Sequence, residues 1–161
     1  MKKRRQKNMN KNRILSLWLA FLLFFTWMPI DFLTVSAQGD SVTISSVEEF
    51  QRLARDCSLD TWSQGKQIVL MNDLDFTGKE FVPIPTFGGT FEGGGYTISG
   101  VVLSTGSPVQ GIFRYIQKSG LVQNLSVSVS ISSGEGKDTF GGIAGNNRGN
   151  IQNCKFYGNI N

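Results

Sequence analysis

The chain has 161 residues, with sixteen Lys and Arg against twelve Asp and Glu, a net charge of +4, nineteen glycines, two cysteines and no histidine. The missing histidine excludes Ser-His-Asp and Cys-His catalysis together with the common histidine-ligated zinc sites. Seven of the basic residues fall in the first thirteen positions, so the overall positive charge belongs to the leader and does not indicate a partner.

Lys2, Lys3, Arg4, Arg5, Lys7, Lys11 and Arg13 precede an apolar run from Ile14 to about Ile30, interrupted by Ser16, Thr26 and Pro29. Val35-Ser36-Ala37 then places small residues at the −3 and −1 positions of a cleavage after Ala37. This order predicts a secretory signal peptide over 1–37. The rival is an uncleaved anchor, for which the run is slightly short of the roughly 20 residues of a comfortable span. Over 38–161 nine Lys and Arg stand against eleven Asp and Glu, a net charge of −2. No basic patch is left for nucleic acid. The expected location is secreted, either extracellular or cell-wall-associated, with membrane contact only through an uncleaved leader.

Residues 38–65 read as an N-terminal cap made of a strand and a helix. Val42-Thr43-Ile44 is short and β-branched, and Ser46-Val47-Glu48-Glu49 fits a capping box, with Glu49 three residues after the N-cap serine. Val47, Phe50, Leu53, Ala54 and Cys57 form one apolar helical stripe. A helix from about Val47 to Cys57 follows, ending before a loop that holds Asp60 and Gly65. Cys57 and Cys154, 97 residues apart, show neither metal-ligand spacing nor a disulfide framework. Both are expected as buried free thiols.

From residue 66 to 161 the helical period gives way to an internal repeat. Met71–Phe76, Ile98–Leu103, Val122–Val127 and Ile151–Phe156 each fit apolar–x–(Asp, Gly or Asn)–apolar–x–apolar, with starts 27, 24 and 29 residues apart. The third position tolerates a turn or left-handed backbone, and the last three alternate as a half-buried strand does. A strand, a sharp bend and another strand, repeated at this interval, is one coil of a parallel β-solenoid. Equivalent residues should then stack in ladders, Leu74–Val101–Leu125–Cys154 and Phe76–Leu103–Val127–Phe156. Gly88-Gly89-Thr90-Phe91, Gly111-Ile112-Phe113 and Gly141-Gly142-Ile143-Ala144-Gly145 supply further faces. The structural rival is a sandwich of hairpins, turning at Gly93-Gly94-Gly95 and Gly134-Glu135-Gly136.

Ile68-Val69-Leu70-Met71-Asn72-Asp73-Leu74-Asp75-Phe76, then Phe81-Val82-Pro83-Ile84-Pro85, then Gly89-Thr90-Phe91-Glu92-Gly93-Gly94-Gly95-Tyr96-Thr97-Ile98 resembles the opening of bacterial surface proteins with GLUG repeats. Phe140 to Cys154 looks like one GLUG unit, and the resemblance covers nearly all of 42–161. The chain departs from the family pattern at Pro85, Glu92, Gly94 and Tyr96. The resemblance implies a right-handed parallel β-helix of the pectin-lyase-like type on a secreted or cell-wall protein, used as a stalk or binding module. Some relatives precede an H-E-x-x-H peptidase domain, and this chain has no such motif.

Three constellations are candidates for chemistry. Asp73 and Asp75, with Glu80 and Glu92, read either as an oxygen-rich calcium site or as turn and strand residues, and a calcium cage needs six or more ligands. Arg114, Lys118, Arg148 and Lys155 are candidates for a lyase acting on acidic sugars, a reading carried by analogy between folds. Trp62, Tyr96, Tyr115 and Tyr157 are candidate binding residues that offer flat faces for stacking on sugars. Catalytic residues, metal ligands and cofactors are not assigned.

The expectation is an all-β fold, a right-handed parallel β-helix (solenoid) with an N-terminal capping α-helix. Its expected role is structural or adhesive, as the N-terminal part of a larger surface protein, with an extracellular glycan or a host or cell-wall surface as partner. Self-association through an open solenoid end is a further expectation. The alternative is a carbohydrate-active β-helix enzyme of the lyase or hydrolase kind.

Overall fold

The computed structural model describes residues 39–104, 108–132 and 139–160. The predicted leader over 1–37 and the Gly134–Gly136 corner lie outside the described residues.

The first strand, β1 (Ser41–Ile44), leads into α1 (Val47–Asp56), the single helix among the described residues. Ser46 caps it, its Oγ accepting from the Glu49 amide at 3.3 Å. Glu49 reaches back to the Ser45 amide at 2.6 Å, one residue earlier than a capping box predicts. Val47, Phe50, Leu53 and Ala54 are buried, as the apolar stripe requires, and Cys57 sits at the C-cap, fully buried. Phe50 packs its ring against Phe76 and Phe81 at 5.6 and 5.8 Å, so the helix closes one end of the core. Burying a side chain of this size contributes roughly 1.5–3 kcal/mol.

Everything after the helix is coil upon coil. The strands are β2 (Gln67–Leu70), β3 (Leu74–Asp75), β4 (Ile84–Phe87), β5 (Thr90–Glu92), β6 (Thr97–Ser104), β7 (Val109–Gln110) and β8 (Phe113–Ile116). They continue as β9 (Leu121–Gln123), β10 (Ser126–Ser132), β11 (Thr139–Phe140), β12 (Ala144–Asn147), β13 (Asn150–Gln152) and β14 (Lys155–Ile160). They form four sheets, ordered β1-β2-β5-β9-β13, β14-β10-β6-β3, β12-β8-β4 and β11-β7. Every pairing is parallel, and from β2 onward strands adjacent in sequence lie in different sheets. A hairpin sandwich is excluded, since hairpins pair neighbouring strands antiparallel. The fold is an all-β parallel solenoid of about four turns.

The inner ladders explain the apolar repeat. Ile68, Phe91 and Val122 stack in one sheet, Ile84 and Phe113 in another, and all five are fully buried. Burial fades at the last coil: along Leu74–Ile98–Val127–Phe156 it runs 2%, 0%, 0% and 41% exposed. Cys154 in that coil is therefore half-buried, not the core thiol expected from the repeat.

The expected ladders hold in part. Val127 stacks on Phe156 as anticipated. Leu74, however, stacks on Ile98 and through it on Val127, while Val101 pairs with Val129 and Leu103 with Ile131. Two glycine features account for the slip. The corner of the third coil is Gly93-Gly94-Gly95-Tyr96, four residues where Asn124-Leu125 suffice in the next coil. Gly100, read as that corner from sequence, instead lies in a β-bulge with φ +70° inside β6.

Candidate functional site

The corners between the β4–β8–β12 sheet and the β5–β9–β13 sheet build a groove. The first corner follows β8, where the Gly120 amide closes a turn on the Gln117 carbonyl at 2.9 Å and presents Lys118. The equivalent corner one coil later follows β12. There the Gly149 amide bonds Asn147 Oδ1 at 3.0 Å, an Asx turn that presents Arg148. The Arg148 amide also bonds the Ile116 carbonyl at 2.9 Å, tying the two corners together.

Between them lies a groove of about 340 Å³ lined by Tyr115, Ile116, Gln117, Lys118, Asn146 and Arg148. That volume falls within the range of small-ligand sites. Tyr115 and Asn146 are direct partners across β8 and β12. Tyr115, Lys118, Asn146 and Arg148 are exposed, so the walls combine an aromatic ring, an amide and two cations.

Gln117 makes the floor rigid. Its Nε2 donates to the Asp60 carbonyl at 2.6 Å and to Thr86 Oγ1 at 2.9 Å, and its Oε1 accepts from Gln64 Nε2 at 2.9 Å. The loop after α1 is thereby fastened beneath the groove. Sequence reasoning missed Gln117 and Asn146. The signal for Asn146 was its place beside Asn147 at the end of the Ala144-Gly145-Asn146-Asn147 strand, just before the Arg148-Gly149 turn, and nothing local marks Gln117.

The four predicted aromatics do not converge. Tyr115 lines the groove. Trp62 is half-buried beside α1, with Lys66 Nζ 5.1 Å from its ring centroid, and it borders a cavity of about 100 Å³, well below ligand size. Tyr96 stands at the glycine corner, 38% exposed. Tyr157 is 57% exposed on β14, opposite Ser128. Of the four, Tyr115 alone is among the residues that line the groove.

The four basic candidates separate too. Lys118 and Arg148 meet in the groove. Arg114 lies half-buried on β8, with its Nε buried and unpartnered among the described residues. Lys155 is on β14, in the other sheet.

The acidic residues serve turns. Asp75 Oδ1 accepts from the Thr77 amide and hydroxyl at 2.9 and 2.6 Å, which holds its carboxyl below the usual aspartate range. Asp73 Oδ1 accepts from the Thr97 amide at 2.7 Å. Burial pushes the Glu92 pKa up, but bonds from Asn124, the Gly94 amide and Gln123 outweigh it and hold the carboxyl below the usual glutamate range. Among the described residues, no three His, Cys, Asp or Glu side chains come together as metal ligands.

The fold and groove define a class, a parallel β-solenoid with a small groove at its stacked corners. No family model, no curated protein and no solved structure matches the chain.

Proposed function

We propose that this chain is a secreted, cell-surface β-helix module of the GLUG-repeat kind that binds an extracellular glycan. The observation that carries the reading is the Tyr115 groove. It sets an exposed ring beside an amide and two cations on a floor held by three side-chain hydrogen bonds. Sugars offer such a site an apolar ring face for stacking and hydroxyls for the polar groups. The groove lining contains no carboxylate, so it lacks the carboxylate pair that glycoside hydrolysis uses.

The test of the glycan reading is affinity electrophoresis of the full chain through gels containing different polysaccharides. Retardation by at least one polymer is expected, and it should be lost in Tyr115→Ala while persisting in Tyr96→Ala and Tyr157→Ala. Migration unaffected by every polymer, or retardation indifferent to Tyr115, overturns the reading.

A further inference from the structure

We propose that the Tyr115 groove selects a polyanionic saccharide, whose acidic substituents sit between Lys118 and Arg148. This rests on the glycan reading above and assigns the charge of the ligand.

Among the described cations only two are ion-paired, Lys66 with Asp40 at 3.0 Å and Lys79 with Glu48 at 3.8 Å. Lys118 and Arg148 have no hydrogen-bond or ion-pair partner for their side chains among the described residues. They nevertheless line the same groove, which has no acidic residue in its walls. Over 38–161 the net charge is −2, so the general field disfavours an anion. In this groove the attraction comes from Lys118 and Arg148, whose fields add on an anion held between them.

The geometry assigns the roles. The Arg148 backbone is fixed by its N–H bond to the Ile116 carbonyl and by the Asn147 turn, and its guanidinium is the planar fork that suits an oxyanion. Lys118, on the turn one coil below, adds a compact charge. Gln117 has its amide committed to Asp60, Thr86 and Gln64, so it forms a wall. Asn146 is left to bond hydroxyls, and Tyr115 to cover a ring face. The shared ligand chemistry is a saccharide bearing carboxylate, sulfate or phosphodiester groups.

The experiment measures binding of the full chain to a neutral glucan and to uronate, sulfated and polyol-phosphate polymers, at rising sodium chloride. The wild type should bind at least one anionic polymer about tenfold or more tighter than the neutral one. That preference should collapse toward 1 M salt, where charges are screened within about 3 Å. Lys118→Gln and Arg148→Gln should each weaken anionic binding about tenfold, shrink the preference for anionic over neutral polymer, and melt like the wild type. Lys79→Gln, remote from the groove, should match the wild type. The ranking of the three anionic polymers identifies the acidic group. Equal binding of neutral and anionic polymers, with Tyr115 still required, overturns this inference and leaves the glycan reading standing. No binding to any polymer overturns both.

Discussion

Asn153 Nδ2 donates to Asn124 Oδ1 at 2.6 Å, and Asn124 Nδ2 in turn bonds both Glu92 carboxylate oxygens at 2.9 and 3.0 Å. One hydrogen-bonded row thus runs through the same corner of three successive coils. Asparagine suits it twice over. Asn124 and Asn153 hold φ at +54° and +48°, a left-handed region that asparagine tolerates better than most residues. Its amide both donates and accepts, so it relays the row from coil to coil.

Asn124 should therefore rank above both glycine and alanine. Asn124→Gly keeps the backbone geometry and loses the relay, at a cost of about 1–3 kcal/mol from the unsatisfied Glu92 contacts. Asn124→Ala adds left-handed strain of about 1–2 kcal/mol. Urea unfolding midpoints should fall in the order wild type, glycine, alanine. An alanine variant as stable as glycine contradicts the corner assignment.

Glu92 gives the row an acid dependence. Its folded pKa is depressed: burial raises it, and the bonds from Asn124, Gly94 and Gln123 more than reverse that. A depressed carboxyl stabilises the fold fully above its unfolded pKa, and that contribution is lost as pH falls through the folded pKa. Stability should decline below the ordinary glutamate range, and Glu92→Gln should flatten that part of the profile. Thermal melts at stepped pH read the difference.

Gly100 tests the bulge. A Cβ at this residue would lie 2.4 Å from the Thr77 amide nitrogen and 2.7 Å from Asp75 Oδ1, at a φ of +70°. Gly100→Ala should destabilise by about 2 kcal/mol or more, from strain and overpacking together. A neutral substitution contradicts the observed register of β6 on β10.

The two thiols should differ in kind. Burial pushes the Cys57 thiol up to about 12, against a smaller opposing effect of its hydrogen bond with Ser63. Cys154 is raised too, first by burial, but it is half-exposed. A maleimide at pH 8 should label Cys154 slowly in the folded protein and Cys57 only on unfolding. Peptide mass mapping at stepped urea distinguishes them, and early labelling of Cys57 contradicts a closed helical cap.

What was legible in sequence follows the range of the interactions. The helix was readable because Ser46 and the Val47–Phe50–Leu53 stripe act within three or four residues. The solenoid was readable because each coil repeats the same apolar alternation. The register was misread at Gly100 because a glycine at a bulge and a glycine at a corner look alike in one dimension. The groove was not legible as a site. It depends on coil length stacking the Lys118 corner on the Arg148 corner, and on Gln117 catching the loop at Asp60 and Gln64 far upstream. Tyr115 was identifiable as a candidate, but its separation from Trp62, Tyr96 and Tyr157 is a property of the coils.

The most direct measurement is amide chemical-shift mapping of the labelled full chain while a retarding polysaccharide, or an oligosaccharide of it, is added. The account predicts that the largest shifts cluster at residues 115–118 and 146–149, the two stacked corners. Shifts centred instead on Trp62, Tyr96 or Tyr157, with those corners unmoved, would contradict it.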